Sequence, residues 1–292
     1  MRKLLMFVLC ISKLTFAQND KETAVKLAFE TKQFEKTRQL ANELLANNSQ
    51  NIVAHTYLGH IAGNNKDWDS AINHYKLLTT IKTNNADFHY WYGGVLGMKA
   101  LENKLSALGL VKKMKKAFHK AAVLDNKHID ARWALLETYL QLPGIIGGSY
   151  KKAELYAEEL ASISEVEGHL AKAYIANYKK QYELEKKYQK LALMSCNLIS
   201  ESYKRNTIHY QLAKAAINNN QGIDLALKHL DWFIKKHKRS DSVAKEWAYF
   251  YCAKAYRLKK DKKKALAYLN KAKKNKEVAK YSKKEEGIIL AL

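Results

Sequence analysis

Lysine and arginine are the residues of this sequence best suited to binding another molecule. The 292-residue chain has 51 Lys and Arg against 28 Asp and Glu, a net charge of +23. Residues 235–284 alone hold 19 basic and four acidic residues. Tyrosines lie among these lysines at Tyr251, Tyr256, Tyr268 and Tyr281. Ammonium groups beside aromatic rings suit phosphates, carboxylates or a polyanion, although lysines can also simply keep a helical surface soluble.

A glycine-rich segment is the second candidate for chemistry. Residues 143–149 read Pro-Gly-Ile-Ile-Gly-Gly-Ser and contain the single proline of the sequence. Such a turn before a helix can bind a phosphate or carboxylate, which makes Gly147, Gly148, Ser149 and Lys151 a possible anion-binding loop. No Gly-Lys-Ser/Thr follows, so the segment is not a P-loop. An enlarged inter-helix turn with Ser149 as its N-cap fits equally well.

Motifs of catalysis and metal binding are missing from the sequence. The ten histidines supply no His-Glu-x-x-His pair, and the three cysteines supply no Cys-x-x-Cys. No Gly-x-Ser-x-Gly turn that would present a nucleophile is present either. We therefore expect no enzyme activity, no metal site and no cofactor.

The first 17 residues have the pattern of an export signal. Arg2 and Lys3 precede a short apolar stretch, and residues 15–17 offer a signal-peptidase cleavage site. The apolar stretch is too short to span a bilayer, so we expect no transmembrane anchor. The sequence predicts a mature protein that is exported to the periplasm of a Gram-negative bacterium, or secreted.

Composition predicts the elements that must position the basic residues. One proline in 292 residues, with abundant Lys, Ala, Leu and Glu, favours helices throughout the chain. The hydrophobic share of 47% is normal for a globular protein and excludes a disordered basic tail. Cys196 and Cys252 remain after signal cleavage. Their apolar helical surroundings favour buried free thiols over a disulfide.

A 34-residue repeat organises these helices. Small and apolar residues recur at this spacing, with Thr37, Ala41 and Leu44 followed by Ala71, Tyr75 and Leu78. The pattern resembles the tetratricopeptide repeat (TPR), a helix-turn-helix unit whose small residues let two helices pack closely. The resemblance covers about 260 residues and implies an all-α fold, a right-handed α-solenoid of six to seven repeats.

The repeat register divides the mature chain into seven units and a capping helix. The third unit carries nine extra residues, the fourth about five, and the fifth and sixth are degenerate. The predicted units are 18–51, 52–85, 86–128, 129–163, 164–205, 206–245 and 246–279, followed by a capping helix at 280–292. The glycine-rich segment also resembles the PGI-GG insertion of a group of exported bacterial TPR proteins, a likeness that implies no activity.

The resemblance implies a binding groove on the first helices of the repeats. In TPR proteins these helices line a concave surface that accepts an extended peptide. The corresponding positions here are Lys172, Tyr210, Lys214, Trp247, Phe250, Lys254 and Arg257. Three lysines thus occupy one site in consecutive units and would form a row flanked by aromatic rings, suited to carboxylates or phosphates. Glu137 interrupts the row in the fourth unit. Coincidence among abundant lysines explains the row as well.

Two functions fit these features. The first is a non-enzymatic scaffold that binds an acidic or carboxylate-bearing protein segment in the groove of the basic C-terminal repeats. The alternative is electrostatic binding of a polyanion, either envelope glycan, anionic lipid or, less readily after export, nucleic acid. The affinity of such a polyanion binder would fall steeply with salt because counterions are released on binding.

Overall fold

The computed structural model describes residues 19–102, 107–196, 203, 205–237, 241 and 243–292. The described residues form fifteen α-helices and no strand. The predicted signal peptide at 1–17 lies outside them. The chain divides into two compact units, residues 1–131 and 132–292, and each is described by itself.

The first unit is built from antiparallel helix pairs. Its helices are α1 (19–30), α2 (Phe34–Asn47), α3 (Ile52–Asn64), α4 (Trp68–Ile81), α5 (Ala86–Glu102) and α6 (Ala107–Leu124). Each helix from α2 to α5 packs against the next one along the chain. Glycines allow the closest approaches, because a Cβ on Gly59 would lie 2.6 Å from the Tyr75 ring and one on Gly93 would lie 2.7 Å from the Phe118 ring. The glycines of α3 and α5 thus seat aromatic rings of α4 and α6.

The second unit continues the same arrangement. Its helices are α7 (Ile129–Gln141), which begins at the boundary, α8 (Tyr150–Ile163), α9 (Glu165–Tyr178), α10 (Tyr182–Ser195), α11 (Thr207–Asn218), α12 (Ile223–Lys236), α13 (Lys245–Leu258), α14 (Lys262–Ala272) and α15 (Lys276–Leu290). A 3₁₀ turn at Gly144–Ile146 lies between α7 and α8. The first helices α9, α11, α13 and α15 contact one another in that order.

One type of turn recurs between the two helices of a pair. In the turn after α3, the Lys66 N–H donates to the Gly63 carbonyl at 3.1 Å, and the Asp67 N–H donates to the Ala62 carbonyl at 2.9 Å. These two bonds define a Schellman motif, which ends a helix with one left-handed residue. The same pair of bonds and a positive φ occur at Lys32, Lys66, Lys180, Asn220 and Lys260. The carboxylate of Asp67 then caps α4 by accepting from the Ser70 N–H.

A continuous apolar cluster fills the C-terminal part of the second unit. Phe233, Leu230 and Leu269 are fully buried in it, together with Cys252 of α13. Cys196 is also buried, and neither cysteine forms a disulfide within the described residues. Burial raises the pKa of Cys252 to about 12, which keeps this thiol protonated and unreactive at neutral pH. Across the described ranges, no helix has the length and apolar character needed to cross a bilayer.

The predicted repeat boundaries stay predictions, and one helix differs from the sequence expectation. The capping helix was expected at 280–292, whereas α15 runs from Lys276 to Leu290. The reason is the Asn275 side chain, which accepts hydrogen bonds from the Glu277 and Val278 N–H groups and so begins the helix earlier.

Candidate functional site

The three lysines of the predicted row lie on successive first helices. Lys172 is on α9, Lys214 on α11 and Lys254 on α13. Because α11 contacts both α9 and α13, the three helices present their equivalent positions side by side. The lysines differ, however, in how their charges are compensated.

The charges at both ends of the predicted site are already neutralised. The Lys172 ammonium pairs with Glu158 of α8 at 2.9 Å. The Arg257 guanidinium pairs with Glu285 of α15 at 2.5 Å, and the Glu285 carboxylate is buried. A ligand would have to compete with these carboxylates, so neither cation is a ready anion site.

Lys214 and Lys254 are the uncompensated part of the row. Lys214 is half-buried and makes no hydrogen bond or ion pair within the described residues. Lys254 donates only to the Asn218 amide oxygen, at 3.3 Å, and lies 5.1 Å from the centre of the Tyr251 ring. Burial lowers the pKa of both ammonium groups. At Lys254 the Glu285 carboxylate opposes this decrease, whereas the charges of Arg257 and Lys214 add to it. Two cations thus lie near each other in a partly desolvated place.

At Lys214 a second carboxylate offsets the positive field without pairing with the ammonium. Glu185 of α10 is close enough to oppose the pKa decrease of Lys214. Its two oxygens accept instead from the Asn177 amide at 2.7 Å and the Gln189 amide at 2.8 Å. The ammonium of Lys214 therefore keeps its hydrogen-bonding capacity for another acceptor.

Two of the predicted aromatic residues are largely buried. Tyr210 and Phe250 are each only 8% exposed and belong to the apolar cluster of α11–α15. The Tyr210 ring lies 5.7 Å from the ring of Phe233, so it fills the space between α11 and α12. Little of either ring is accessible to a ligand, and the prediction that they flank the lysines stays a prediction. Trp247 is half-buried, and its ring lies 5.1 Å from that of Tyr281.

The backbone donors of residues 147–149, on which the predicted anion loop depends, are already used. The N–H groups of Gly147 and Gly148 donate to carbonyls within the loop, and that of Ser149 donates to the Tyr139 carbonyl. The Ser149 hydroxyl accepts from the Lys152 N–H and caps α8. A Cβ on Gly148 would lie 1.8 Å from the Leu142 carbonyl oxygen. These contacts correct the anion-loop prediction: the glycines serve a tight turn, and Lys151 is left as an exposed surface lysine.

An ion cluster that the sequence did not reveal lies between α7, α9 and the segment before α11. The Glu167 carboxylate is 2% exposed and accepts from the Trp133 indole at 2.7 Å and from Arg205 at 2.5 and 3.1 Å. Arg205 also donates to Gln211 and lies 4.9 Å from the Trp133 ring centre. Burial raises the pKa of nearby Glu137, and Arg205 opposes that increase. The available signal was Glu167 itself, a charge among apolar residues of α9.

Metal chemistry finds no support in the described part of the chain. No group of three or more His, Cys, Asp or Glu side chains in it is placed to hold a metal ion. The feature of the site that could bind a ligand is the pair of ammonium groups of Lys214 and Lys254.

Comparison with known proteins identifies the fold. No protein-family model and no curated protein matches the sequence. Among solved structures, a tetratricopeptide repeat protein from Parabacteroides merdae matches with a TM-score of 0.52 and 14% identity, over 94% of this chain and 98% of that one. The fold is the tetratricopeptide-repeat fold. Yeast Tom70 matches over 92% of this chain and 53% of its own, with a TM-score of 0.59 and 16% identity.

A third match is a chain of the APC/C hetero-tetramer Cut9–Hcn1. It covers 91% of this chain and 48% of that one, with a TM-score of 0.53 and 14% identity. At these identities the likeness concerns the fold. The predicted all-α TPR fold is thereby confirmed, and the TPR helix order explains why Lys214 and Lys254 lie on neighbouring first helices.

Proposed function

We propose that this protein is a non-enzymatic interaction scaffold that binds an acidic or carboxylate-bearing peptide segment on the first helices α11 and α13. The observation that carries the proposal is the pair Lys214 and Lys254. Both are half-buried and lack a carboxylate partner among the described residues, whereas Lys172 and Arg257 have one.

An incoming carboxylate would be stabilised by both lysines at once. Each ammonium has lost part of its hydration, and the charge of Lys214 adds to the pKa decrease of Lys254. An anion placed between them would accept charge-assisted hydrogen bonds in a medium less polar than water, where such bonds are stronger. Because the anion stabilises the charged form, its binding should raise the pKa of both lysines.

The proposed partner is a protein or peptide met after export. Residues 1–17 favour the periplasm of a Gram-negative bacterium, or secretion, as the place of action. The Cut9–Hcn1 hetero-tetramer, whose chain matches this fold, supports the general idea that such an array assembles with other chains.

A peptide-binding measurement tests the proposal. The probes are fluorescein-labelled decapeptides that end in four Asp or Glu residues with a free carboxylate, and matched peptides that end in Asn or Gln with an amide. We expect the acidic peptide to bind and the Lys214→Gln/Lys254→Gln variant to bind it at least tenfold more weakly, about 1.4 kcal/mol.

Lys172→Gln is the matched control, because Glu158 already compensates Lys172. It should change the affinity less than about twofold. Equal losses in the control and the double variant would show that only net charge matters, and unchanged binding in the double variant would remove the groove proposal.

Polyanion binding is the second candidate, and an aromatic stack favours it. The rings of Tyr256 and Tyr268 stack 5.4 Å apart, with Lys264 and Lys271 placed 5.2 and 4.9 Å from their centres. Rings with adjacent ammonium groups are typical of surfaces that follow a phosphate chain. Polyphosphate binding should then decrease with salt and with Lys264→Gln/Lys271→Gln. Salt-independent affinity would contradict it.

A further inference from the structure

The last described helix, α15, repeats the register of α13 at a distance of 34 residues. Three residues of α13 that are buried correspond to three residues of α15 that are buried as well. They are Ala248, Tyr251 and Ala255, which correspond to Ser282, Glu285 and Ile289. Shared burial at these positions shows that α15 packs on α13 as a first helix of a further repeat.

A second set of positions differs between the two helices. Phe250 and Ala253 of α13 are buried, and Ala253 belongs to the same core cluster as Leu269 of α14. The corresponding residues of α15 are Lys284 and Gly287, and both are exposed. No described helix covers this face of α15, although a second helix covers the equivalent face of α13.

The first unit shows what normally covers such a position. Gly59 and Gly93 are 34 residues apart, and each seats an aromatic ring of the following helix, Tyr75 or Phe118. A Cβ on Gly287 would meet nothing within 4 Å. Glycine is less favourable than alanine inside a helix, and here no described contact offsets that cost.

The open face of α15 is both basic and apolar. Lys280, Lys283 and Lys284 are exposed and make no ion pair with any described residue. Large apolar side chains lie exposed on the same helix: Ile288 is 42% and Leu290 56% exposed. A partner must therefore bring apolar side chains together with negative charge.

We propose that this face of α15 docks an acidic amphipathic helix of a partner protein, with an aromatic side chain placed over Gly287. The partner helix would take the place that α4 and α6 take on α3 and α5. A second copy of α15 fits poorly, because it would bring its own three lysines. Residues 1–18 fit poorly too, because they contain three basic residues and no acidic one. The proposal is independent of the peptide site at Lys214 and Lys254.

The test uses a helix whose packing on such a glycine is already known. The probe is a labelled peptide with the sequence of residues 67–82, in which the exposed Asn73, Lys76 and Thr80 are replaced by glutamate. We expect it to bind the full chain, and Gly287→Leu to weaken binding at least tenfold because the leucine fills the seat of the ring. Removing that ring from the peptide by Tyr75→Ala should weaken binding to a similar degree.

Charge and location are tested by two further variants of the protein. Lys280→Glu/Lys283→Glu/Lys284→Glu should weaken binding at least tenfold, while Lys214→Gln/Lys254→Gln should change it less than twofold. Circular dichroism and the unfolding midpoint establish that each variant is folded, and Gly287→Ala provides a milder substitution. Absence of saturable binding to the wild type, or unchanged binding to Gly287→Leu, would overturn the proposal. Loss confined to the Lys214/Lys254 variant would assign the probe to the peptide site instead.

Discussion

His209 of α11 and His229 of α12 hydrogen-bond to each other through their Nδ1 atoms, 2.8 Å apart. Both rings are buried, and neither Nε2 atom has a hydrogen-bond partner among the described residues. His55 and His74 form the same Nδ1–Nδ1 contact at 2.8 Å between α3 and α4, but there the Nε2 of His55 bonds to the Ser49 carbonyl. Protonation should therefore destabilise the His209–His229 pair more than the His55–His74 pair.

Acid should destabilise the second unit through this histidine pair. Burial, and then the charge of His229, lower the pKa of His209 to about 4. Because the folded-state pKa lies below the unfolded value of about 6.5, acid protonates the unfolded state first. The free energy of unfolding is therefore highest above pH 6.5 and decreases as the pH falls toward 4. Between pH 7 and pH 5 the free energy of unfolding should decrease by about 2 kcal/mol.

Urea unfolding at several pH values measures this decrease. The double variant His209→Leu/His229→Met removes both titrating groups, so its unfolding free energy should depend less on pH. His89→Gln, at a half-buried histidine outside the pair, is the matched control and should keep the pH dependence of the wild type. A double variant as acid-sensitive as the wild type would contradict the assignment.

Replacement by alanine should have opposite effects on stability at two glycines that occupy the same position in the repeat. At Gly59 the new Cβ would press on the buried Tyr75 ring, which is also held by a hydrogen bond to His60, so Gly59→Ala should cost about 1–3 kcal/mol. At Gly287 the space is open, so Gly287→Ala should stabilise the chain by about 0.5–1 kcal/mol. Thermal unfolding of both variants checks the difference in sign. A stabilising Gly59→Ala would contradict the close packing of α3 on α4.

Breaking the Arg205–Glu167 pair should be costly. Arg205→Met would leave a buried carboxylate without its cation, at a cost of about 3–5 kcal/mol. The double variant Arg205→Met/Glu167→Gln removes both charges and should recover part of that loss. The exposed pair of Arg38 with Glu35 is the control, and Arg38→Met should cost less than about 0.5 kcal/mol. Denaturant unfolding measures all three values, and equal costs for the two single variants would rule out a structural role for the cluster.

The turn at 143–149 should tolerate replacement by alanine at Gly144 and not at Gly148. A Cβ on Gly148 would overlap the Leu142 carbonyl oxygen, so Gly148→Ala should destabilise the second unit by more than about 2 kcal/mol. Nothing lies within 4 Å of a Cβ on Gly144, and Gly144→Ala should be near neutral. The unfolding midpoints of the Gly148→Ala and Gly144→Ala variants test this difference. Similar midpoints would mean that the loop rearranges to accept either alanine.

The helices and the fold were predictable from the sequence because their determinants are local. The spacing of small and aromatic residues, as in Gly59 and Tyr75, follows directly from how two adjacent helices pack. Turn residues such as Asp67 mark helix starts in the sequence as well.

The site was predictable only in its position, since charge compensation depends on residues far apart in the chain. The register places Lys172, Lys214 and Lys254 on neighbouring helices, but the sequence does not show that Glu158 neutralises only the first. Arg205 and Glu167 are likewise 38 residues apart, and Arg205 precedes α11 in an irregular segment. The burial of Phe250 depends on how α13 is rotated against its neighbours, which spacing alone does not determine.

The Schellman turns connect the two helices of five pairs in the same way. The same hydrogen bonds close the turn at Lys66 in the first unit and at Lys260 in the second, although the helices on either side differ in sequence. A turn whose geometry does not depend on its neighbours lets the two helices of a pair keep the same connection while their sequences diverge. The surface residues of one pair can then change toward a new partner without altering how its two helices are joined.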